Sequence, residues 1–263
     1  MSNNKNGKNA TSLPLVRLFP NIVTIIGLCF GMFAIKYAML ERWEMAVTFI
    51  IIAAVIDGID GRLARMLNAS SNFGAQLDSF ADFLNFGIAP AMILYMWKIH
   101  EIKGLGWAIA LFFIISQALR LARFNAAGMD EDDEEDEDSK LLNEKFFTGI
   151  SAPMGASLSV APMMIEFLLY EKFIEPPFSI HPLSVIIFMA IIAALMVSRV
   201  PTLSIKKMKI RRKHASFALA LSGIIVICLI VDPWITLPIV GVLYLLTIPF
   251  TIAQYYRLKG AKT

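Results

Sequence analysis

Eight long apolar stretches dominate the chain and restrict it to very few folds. Each holds roughly 20 predominantly apolar residues, the length that a helix needs to cross the hydrocarbon core of a bilayer. Inside a membrane every backbone N–H and C=O group must be paired within the protein, so these stretches predict helices rather than strands. They lie at about 21–40, 44–67, 74–97, 105–125, 148–170, 182–199, 214–231 and 234–256.

Composition agrees with a membrane location. Of the 263 residues, 57% are hydrophobic and 17% are charged, whereas an average soluble domain has about 45–50% apolar and about 25% charged residues. The expected fold class is therefore an all-α integral membrane protein with about eight transmembrane helices. A short amphipathic segment at 13–19 is expected to lie in the membrane interface. The polar residues 1–12 lack the features of a signal peptide and are expected to be disordered.

Lysine and arginine fall mainly on one side of the predicted helices. With the N-terminus inside, the outer loops hold only Arg42, Lys98, Lys103 and Lys172, while the inner side includes a basic loop at 200–213 and a tail at 258–263. Positive charge marks the cytoplasmic side. Both termini are therefore expected in the cytoplasm. Because no organelle-targeting segment is present, we expect the cell inner membrane of a prokaryote.

One loop differs from the others in charge. Residues 130–138 are all Asp or Glu, and such acidic blocks are typically solvated and disordered. The central glycine of an EF-hand calcium loop is absent from this block. The segment 129–140 is therefore expected to be a flexible cytoplasmic loop.

Four aspartates lie inside the second and third apolar stretches, where an ionised carboxylate is costly unless it is compensated. Asp57 and Asp60 are three residues apart and Asp78 and Asp82 are four apart, so each pair lies on one face of its helix. Two such pairs on successive helices can converge on one point. Four hard oxygen ligands predict a divalent-cation site for Mg²⁺ or Mn²⁺.

The residues around these aspartates favour a phosphate. Gly61 and Ala64 let a bulky group approach the second helix closely. Arg65 offers a guanidinium and Ser71 a hydroxyl, while Gly74 begins the third helix, where free N–H groups favour anions. The pattern predicts metal-assisted phosphoryl transfer on a lipid-linked diphosphate, with a carboxylate as proton acceptor.

Residues 57–82 read Asp-x2-Asp-Gly-x2-Ala-Arg-x8-Gly-x3-Asp-x3-Asp. This spacing resembles, without a gap, the signature of the CDP-alcohol phosphatidyltransferase family. The resemblance implies a six-helix catalytic core at 13–199, followed here by two additional helices at 214–257. It also implies a homodimer that displaces CMP from a CDP-linked lipid.

The resemblance also implies roles for individual residues. Asp57, Asp60, Asp78 and Asp82 would bind two divalent ions, and Asp82 would accept a proton. Gly61, Arg65 and Ser71 match positions that contact the CDP-diacylglycerol headgroup, and Ala64 and Gly74 belong to the same signature. In the first helix, Pro20-Asn21-x-x-Thr24 resembles a nucleotide-contacting segment, which adds Asn21 and Thr24 to the expected CDP-diacylglycerol site.

Four other segments indicate the acceptor alcohol. Residues 79–91, 118–125, 147–153 and 198–206 resemble the branch of the family that uses L-serine, although Asn85 stands where that branch more often has Ser. This resemblance implies phosphatidylserine and CMP as products. A serine carboxylate favours an arginine, and the candidate serine or phosphate ligands are Arg120, Arg123, Asn125, Arg199, Thr202, Ser204 and Lys206.

Two alternatives stay open at this point. The same chemistry could use another acceptor, namely glycerol 3-phosphate, inositol phosphate or choline. A cation transporter could also hold aspartates in the membrane, but it would be expected to show discontinuous helices and repeat symmetry. CDP-diacylglycerol, L-serine and membrane lipids are the expected partners, and nothing in the sequence indicates a nucleic acid.

Overall fold

The structure is a computed structural model, and it describes residues 18–67, 69, 71–127, 146–172, 179–203 and 215–260. Its first half is a series of helices joined by short turns. These are α1 (Phe19–Met39), α2 (Trp43–Met66), α3 (Asn72–Phe83), a π-helical turn (Leu84–Ile88), α4 (Ala89–Trp97), a 3₁₀ turn (Ile99–Glu101) and α5 (Leu105–Ala127). The amphipathic segment expected at 13–19 lies almost entirely outside the described residues, as does the acidic loop at 129–140.

The second half adds two short strands to the helices. Its elements are β1 (Phe146–Thr148), α6 (Ala152–Ser159), α7 (Ala161–Lys172), α8 (Pro182–Val197), β2 (Pro201–Leu203), α9 (Ala215–Val231) and α10 (Pro233–Gly260). The strands pair antiparallel, with Phe147 opposite Thr202. Each of the eight predicted stretches thus coincides with a helix or with two consecutive helices.

The described helices make this a multi-pass membrane protein. By length and composition, four of them can cross a membrane: Phe19–Met39, Asn72–Trp97, Leu105–Ala126 and Pro233–Ala253. The pair α6 and α7, bent by 40° at Val160, counts as a fifth if it forms one span. Pro162 explains the bend, because a proline in the first turn of α7 has no N–H to donate back to α6.

The remaining helices depart from the simplest spanning pattern for identifiable reasons. Helix α2 has 24 residues, but it carries the acidic pair Asp57 and Asp60 together with Arg62 and Arg65. Helix α8 has 16 residues and α9 has 17, which is short for a full crossing. The structure therefore supports four or five of the eight expected spans.

Helix α1 packs closely because its buried face is made of small residues. Gly27, Gly31, Ala34 and Ala38 are all buried, and they face α2, α3, the π turn and α4. A Cβ atom on Gly31 would lie 2.0 Å from Oδ1 of Asn85 in the π turn. Small residues allow such close helix contacts in membranes, so α1 can lie directly against the helices that carry the aspartates.

An ion pair ties the helices together at the end away from the aspartates. Lys98, which follows α4, donates to both carboxylate oxygens of Glu166 at 2.9 Å. Both side chains are largely buried, with 11% and 8% of their surfaces exposed. Lys98 is separated from Asp78 by the length of the α3–α4 span, so this contact and the aspartates mark opposite sides of the bundle.

Candidate active site

Helices α2 and α3 bring three of the four predicted carboxylates together. One oxygen atom each of Asp57, Asp60 and Asp78 lies within 4.8 Å of the other two. Asp60 is buried, with 4% of its surface exposed, and the other two are half-buried. The three- and four-residue spacings place these side chains on the facing sides of the two helices, as the sequence predicted.

Asp82 occupies a different position from the other three aspartates. It lies one turn further along α3, outside the group of three, with its carboxyl within hydrogen-bonding distance of Asp57. The Arg120 guanidinium of α5 is also near enough to interact with it electrostatically. The four predicted ligands are therefore not equivalent, since Asp82 alone lies between the carboxylate cluster and an arginine.

The three clustered carboxylates fit a divalent cation. All the donor atoms are carboxylate oxygens, which are the ligands that Mg²⁺ and Mn²⁺ prefer. Carboxylates held this close in a bundle of apolar helices repel one another unless a cation or a proton compensates their charge. Asp57, Asp60 and Asp78 could thus hold one such ion, with Asp82 near enough to extend the site.

A cleft of about 270 Å³ opens beside the cluster, between α1, α2 and the start of α3. Asp60 and Asp78 form part of its wall. The residues that the sequence analysis expected to contact CDP-diacylglycerol all line this cleft: Asn21, Thr24, Gly61, Ala64, Arg65, Ser71 and Gly74. The structure therefore gathers them at one place from three separate helices, next to the carboxylates.

Two glycines of the signature serve different purposes in the cleft. A Cβ atom on Gly61 would meet no protein atom within 4 Å, so this glycine keeps free space in the wall of the cleft. A Cβ atom on Gly74 would lie 2.8 Å from Oδ1 of Asn21. Gly74 thus lets the Asn21 side chain of α1 reach the start of α3.

Ser71 also has a structural role at this point. Its hydroxyl accepts a hydrogen bond from the backbone N–H of Gly74 at 3.0 Å, and its extended backbone makes it the N-cap of α3. Ser71 is exposed and lines the cleft, so capping the helix holds the hydroxyl at the edge of the site.

The arginines expected to bind serine contact backbone carbonyl groups. Arg120 donates from Nε to the Ile150 carbonyl at 2.6 Å. Arg123 donates from Nη1 to Val197 at 2.9 Å and from Nη2 to Ser198 at 3.5 Å. Because those carbonyls end α8, Arg123 stabilises the C-terminus of that helix as cations typically do.

The other candidates for the serine site are dispersed. Asn125 of α5 donates to the Ser79 hydroxyl of α3 at 3.1 Å, and Thr202 donates to the Gly149 carbonyl at 2.8 Å. Arg199 is exposed after the end of α8. Ser204 and Lys206 lie outside the described residues.

One residue near this region was not expected from the sequence. Tyr244 of α10 is hydrogen-bonded to Thr202 and lies near enough to Arg120 to interact with it electrostatically. Tyr244 is one of three tyrosines in α10, with Tyr255 and Tyr256, and nothing in the local sequence distinguishes it from a packing residue. Only the packing of α10 against β2 brings Tyr244 to this place.

The fold and the site together define a class of protein: a multi-pass helical membrane protein with a carboxylate cluster beside a polar cleft. The family model described as CDP-alcohol phosphatidyltransferase matches residues 17–253. The chain belongs to this family, which confirms the resemblance seen in its sequence. It is therefore a transferase of phospholipid biosynthesis.

Relatives from three bacterial genera carry one and the same name, CDP-diacylglycerol–serine O-phosphatidyltransferase. The Mycobacterium bovis protein is 31% identical over 240 residues, covering 90% of this chain and 79% of the relative. The Helicobacter pylori protein is 33% identical over 194 residues, covering 73% and 74%. The Bacillus subtilis protein is 39% identical over 106 residues, covering 40% and 60%.

Proposed function

We propose that this enzyme transfers the phosphatidyl group of CDP-diacylglycerol to L-serine, giving phosphatidylserine and CMP. The observation that carries the proposal is the cluster of Asp57, Asp60 and Asp78, of which Asp60 and Asp78 line a cleft formed by the family signature. The shared name of the bacterial relatives supports serine as the acceptor.

The cleft is suited to hold the diphosphate of CDP-diacylglycerol. Arg65 supplies a positive charge for a phosphate oxygen, and the N-terminal end of α3, whose dipole favours anions, lies at the wall of the cleft. Gly61 leaves the space into which the headgroup would fit. The apolar surfaces of the surrounding helices would keep the acyl chains in the bilayer.

The proposed reaction is a displacement at the phosphorus that carries diacylglycerol. Asp82 takes the proton of the serine hydroxyl, and the hydroxyl oxygen forms a new bond to that phosphorus. The bond from phosphorus to the bridging oxygen breaks, and its electron pair leaves with CMP. Two divalent ions, Mg²⁺ or Mn²⁺, bound by Asp57, Asp60, Asp78 and Asp82 would neutralise the charge that develops on the diphosphate.

Arg120 is the best candidate to bind the carboxylate of serine. It combines a guanidinium with proximity to Asp82, and its bond to Ile150 uses Nε. Arg123 is less suited, because both of its terminal nitrogens donate to backbone carbonyls. The alternative is another acceptor: glycerol 3-phosphate, inositol phosphate or choline. The acceptor assay described below distinguishes these from serine.

The proposal includes a membrane arrangement. All eight predicted stretches would cross the cell inner membrane, with both termini and the carboxylate cluster toward the cytoplasm. Each stretch coincides with helical structure, and length and composition support four or five of the crossings. The lysine and arginine bias supports the orientation. The homodimer implied by the family resemblance stays a prediction.

An acceptor assay tests the proposed function. Purified enzyme in detergent receives CDP-diacylglycerol, Mn²⁺ or Mg²⁺, and one radiolabelled acceptor at a time. Labelled lipid and CMP are expected with serine, and little or no labelled lipid with glycerol 3-phosphate, inositol phosphate or choline. Labelled lipid from another acceptor and none from serine would overturn the choice of acceptor.

The proton-acceptor role of Asp82 is tested with Asp82→Asn. The amide keeps the shape of the side chain but cannot take a proton, so turnover should be abolished while CDP-diacylglycerol binding largely survives. A fully active Asp82→Asn enzyme would exclude the proposed mechanism.

A further inference from the structure

A buried hydroxyl of α1 contacts one of the clustered aspartates. Thr24 Oγ1 lies 2.8 Å from Oδ2 of Asp60 and 3.1 Å from the carbonyl oxygen of Pro20, one turn earlier on the same helix. Thr24 is 6% exposed and Asp60 is 4% exposed. This contact joins α1 to α2 at the wall of the cleft.

The Thr24 hydroxyl has one hydrogen and two acceptors within reach, so it can donate to only one of them at a time. An ionised carboxylate is a stronger acceptor than a backbone carbonyl. Thr24 therefore donates to Asp60 when that carboxylate is charged, and the Pro20 carbonyl is the alternative acceptor. A buried carboxylate without such a donor would be less stable.

The bond also limits how Asp60 can orient. Because Oδ2 is held by a residue of another helix, the carboxylate cannot turn freely about its Cβ–Cγ bond. One oxygen of Asp60 meanwhile lies within 4.8 Å of oxygens from Asp57 and Asp78. Partners that orient metal-binding side chains in this way contribute substantially to metal affinity.

We propose that Thr24 is a positioning residue of the carboxylate cluster, which fixes Asp60 in the orientation that binds a divalent cation. The inference rests on the proposed function for its metal. It differs from the role expected from the sequence, in which Thr24 contacts CDP-diacylglycerol directly. The two roles predict different results when cation binding is measured without the lipid.

Three variants of the full chain separate these roles. Thr24→Val removes the hydroxyl and keeps the branched shape, whereas Thr24→Ser keeps the hydroxyl. Thr251→Val is the matched control: Thr251 is equally buried, at 1% exposed, and its hydroxyl donates to a carbonyl four residues earlier, that of Thr247 in α10.

The measurement is a titration of each purified variant with Mn²⁺, followed by electron paramagnetic resonance without CDP-diacylglycerol or serine. Thr24→Val should raise the Kd for Mn²⁺ by about tenfold, whereas Thr24→Ser should stay within about twofold of the wild type. Thr251→Val should bind Mn²⁺ as the wild type does. Apparent Tm values, measured in parallel, show whether each variant is folded.

Several outcomes would overturn the inference. A Thr24→Val enzyme with unchanged Mn²⁺ affinity and a raised KM for CDP-diacylglycerol would make Thr24 a lipid contact. If Thr24→Ser lost as much Mn²⁺ affinity as Thr24→Val, the hydroxyl would not be the group that matters. A wild-type enzyme that binds no Mn²⁺ would remove the metal site and this role together.

The acceptor assay keeps the two proposals distinguishable. An enzyme that uses a different acceptor contradicts the proposed function, but the Mn²⁺ titration still decides the role of Thr24. An enzyme that uses serine while Thr24→Val binds Mn²⁺ normally contradicts the role of Thr24 alone.

Discussion

The two halves of the candidate site are built in different ways. On the donor side, formed by α1, α2 and α3, the predicted residues line an open cleft beside the carboxylates. On the acceptor side, around α5, β1 and β2, the predicted residues Arg120, Arg123 and Thr202 donate hydrogen bonds to backbone carbonyls. The donor-side residues thus line an open cleft, whereas several acceptor-side residues stabilise the fold through hydrogen bonds to the backbone.

The difference shows what kind of sequence signal identifies a binding residue. Apart from Asn21 and Thr24 of α1, the donor residues belong to one continuous motif at 57–82. Its spacing repeats the helical turn, so local geometry places its members on one face of each helix. The arginines of the acceptor side are predicted only from the preference of a carboxylate for a guanidinium. In a membrane, however, an arginine can equally satisfy carbonyls at the end of a helix, and Arg123 does so.

The largest expected effect is on the donor side and tests its carboxylates. Asp78→Asn removes a charged ligand from the cluster and should lower transferase activity by more than about 100-fold, with reduced Mn²⁺ binding. Asp232→Asn is the control, because Asp232 accepts a hydrogen bond from Ile235 N–H at 3.2 Å and asparagine can make the same N-cap. An active Asp78→Asn enzyme would contradict the proposal that the carboxylate cluster on the donor side is needed for catalysis.

The next effect is on stability, and it should be seen on the acceptor side but not on the donor side. Arg123→Ala leaves the carbonyls at the end of α8 without their donor and should lower the free energy of unfolding by about 1.5–3 kcal/mol. Thermal unfolding in detergent measures this as a lower apparent Tm. Arg65→Ala, an exposed residue of the cleft, should keep the apparent Tm and raise the KM for CDP-diacylglycerol.

Reversed results would contradict this division of roles between Arg123 and Arg65. An Arg123→Ala enzyme with an unchanged apparent Tm and a raised KM for serine would make Arg123 a ligand of the acceptor. The acceptor side would then be an open binding surface like the donor side.

A smaller effect concerns the free space at Gly61. Gly61→Ala should raise the KM for CDP-diacylglycerol by about tenfold, because the added methyl group enters the cleft. Its stability should not fall, since alanine is favoured over glycine in a helix by about 1 kcal/mol. Gly58→Ala is the matched control: a Cβ atom there also meets nothing within 4 Å, one turn earlier on α2.

The measurement compares the KM for CDP-diacylglycerol of Gly61→Ala with that of Gly58→Ala. An equal KM in the two variants would mean that the lipid headgroup does not occupy the space beside Gly61. A lower apparent Tm for Gly61→Ala alone would point to packing instead of binding.

The smallest effect is expected where the two sides meet. Ser79 of α3 and Asn125 of α5 are hydrogen-bonded at 3.1 Å, so Ser79→Ala should lower the free energy of unfolding by about 1 kcal/mol. The KM for serine should stay unchanged if Asn125 is structural. Ser184→Ala, at the start of α8, removes a hydroxyl that donates to the His181 carbonyl at 2.6 Å and serves as the control. A raised KM for serine in Ser79→Ala alone would return Asn125 to the acceptor site.

Much of the fold could be predicted, because apolar length largely determines where membrane helices form. Each predicted stretch coincides with helical structure, and the 40° bend at Val160 accompanies Pro162 as expected for proline. The π turn at Leu84–Ile88 could not be predicted, since apolar periodicity does not reveal one extra residue in a turn. It lies where Asn85 packs against Gly31.

The sequence by itself determined the apolar helices, the facing aspartates of α2 and α3, and the membership of the family. These features depend on residues close together in the chain, where helical geometry fixes their relative positions. The tertiary structure decided that Thr24 contacts Asp60, that Arg123 caps α8 and that Tyr244 reaches Thr202. Such contacts join segments far apart in sequence, and the packing of whole helices determines which of them meet.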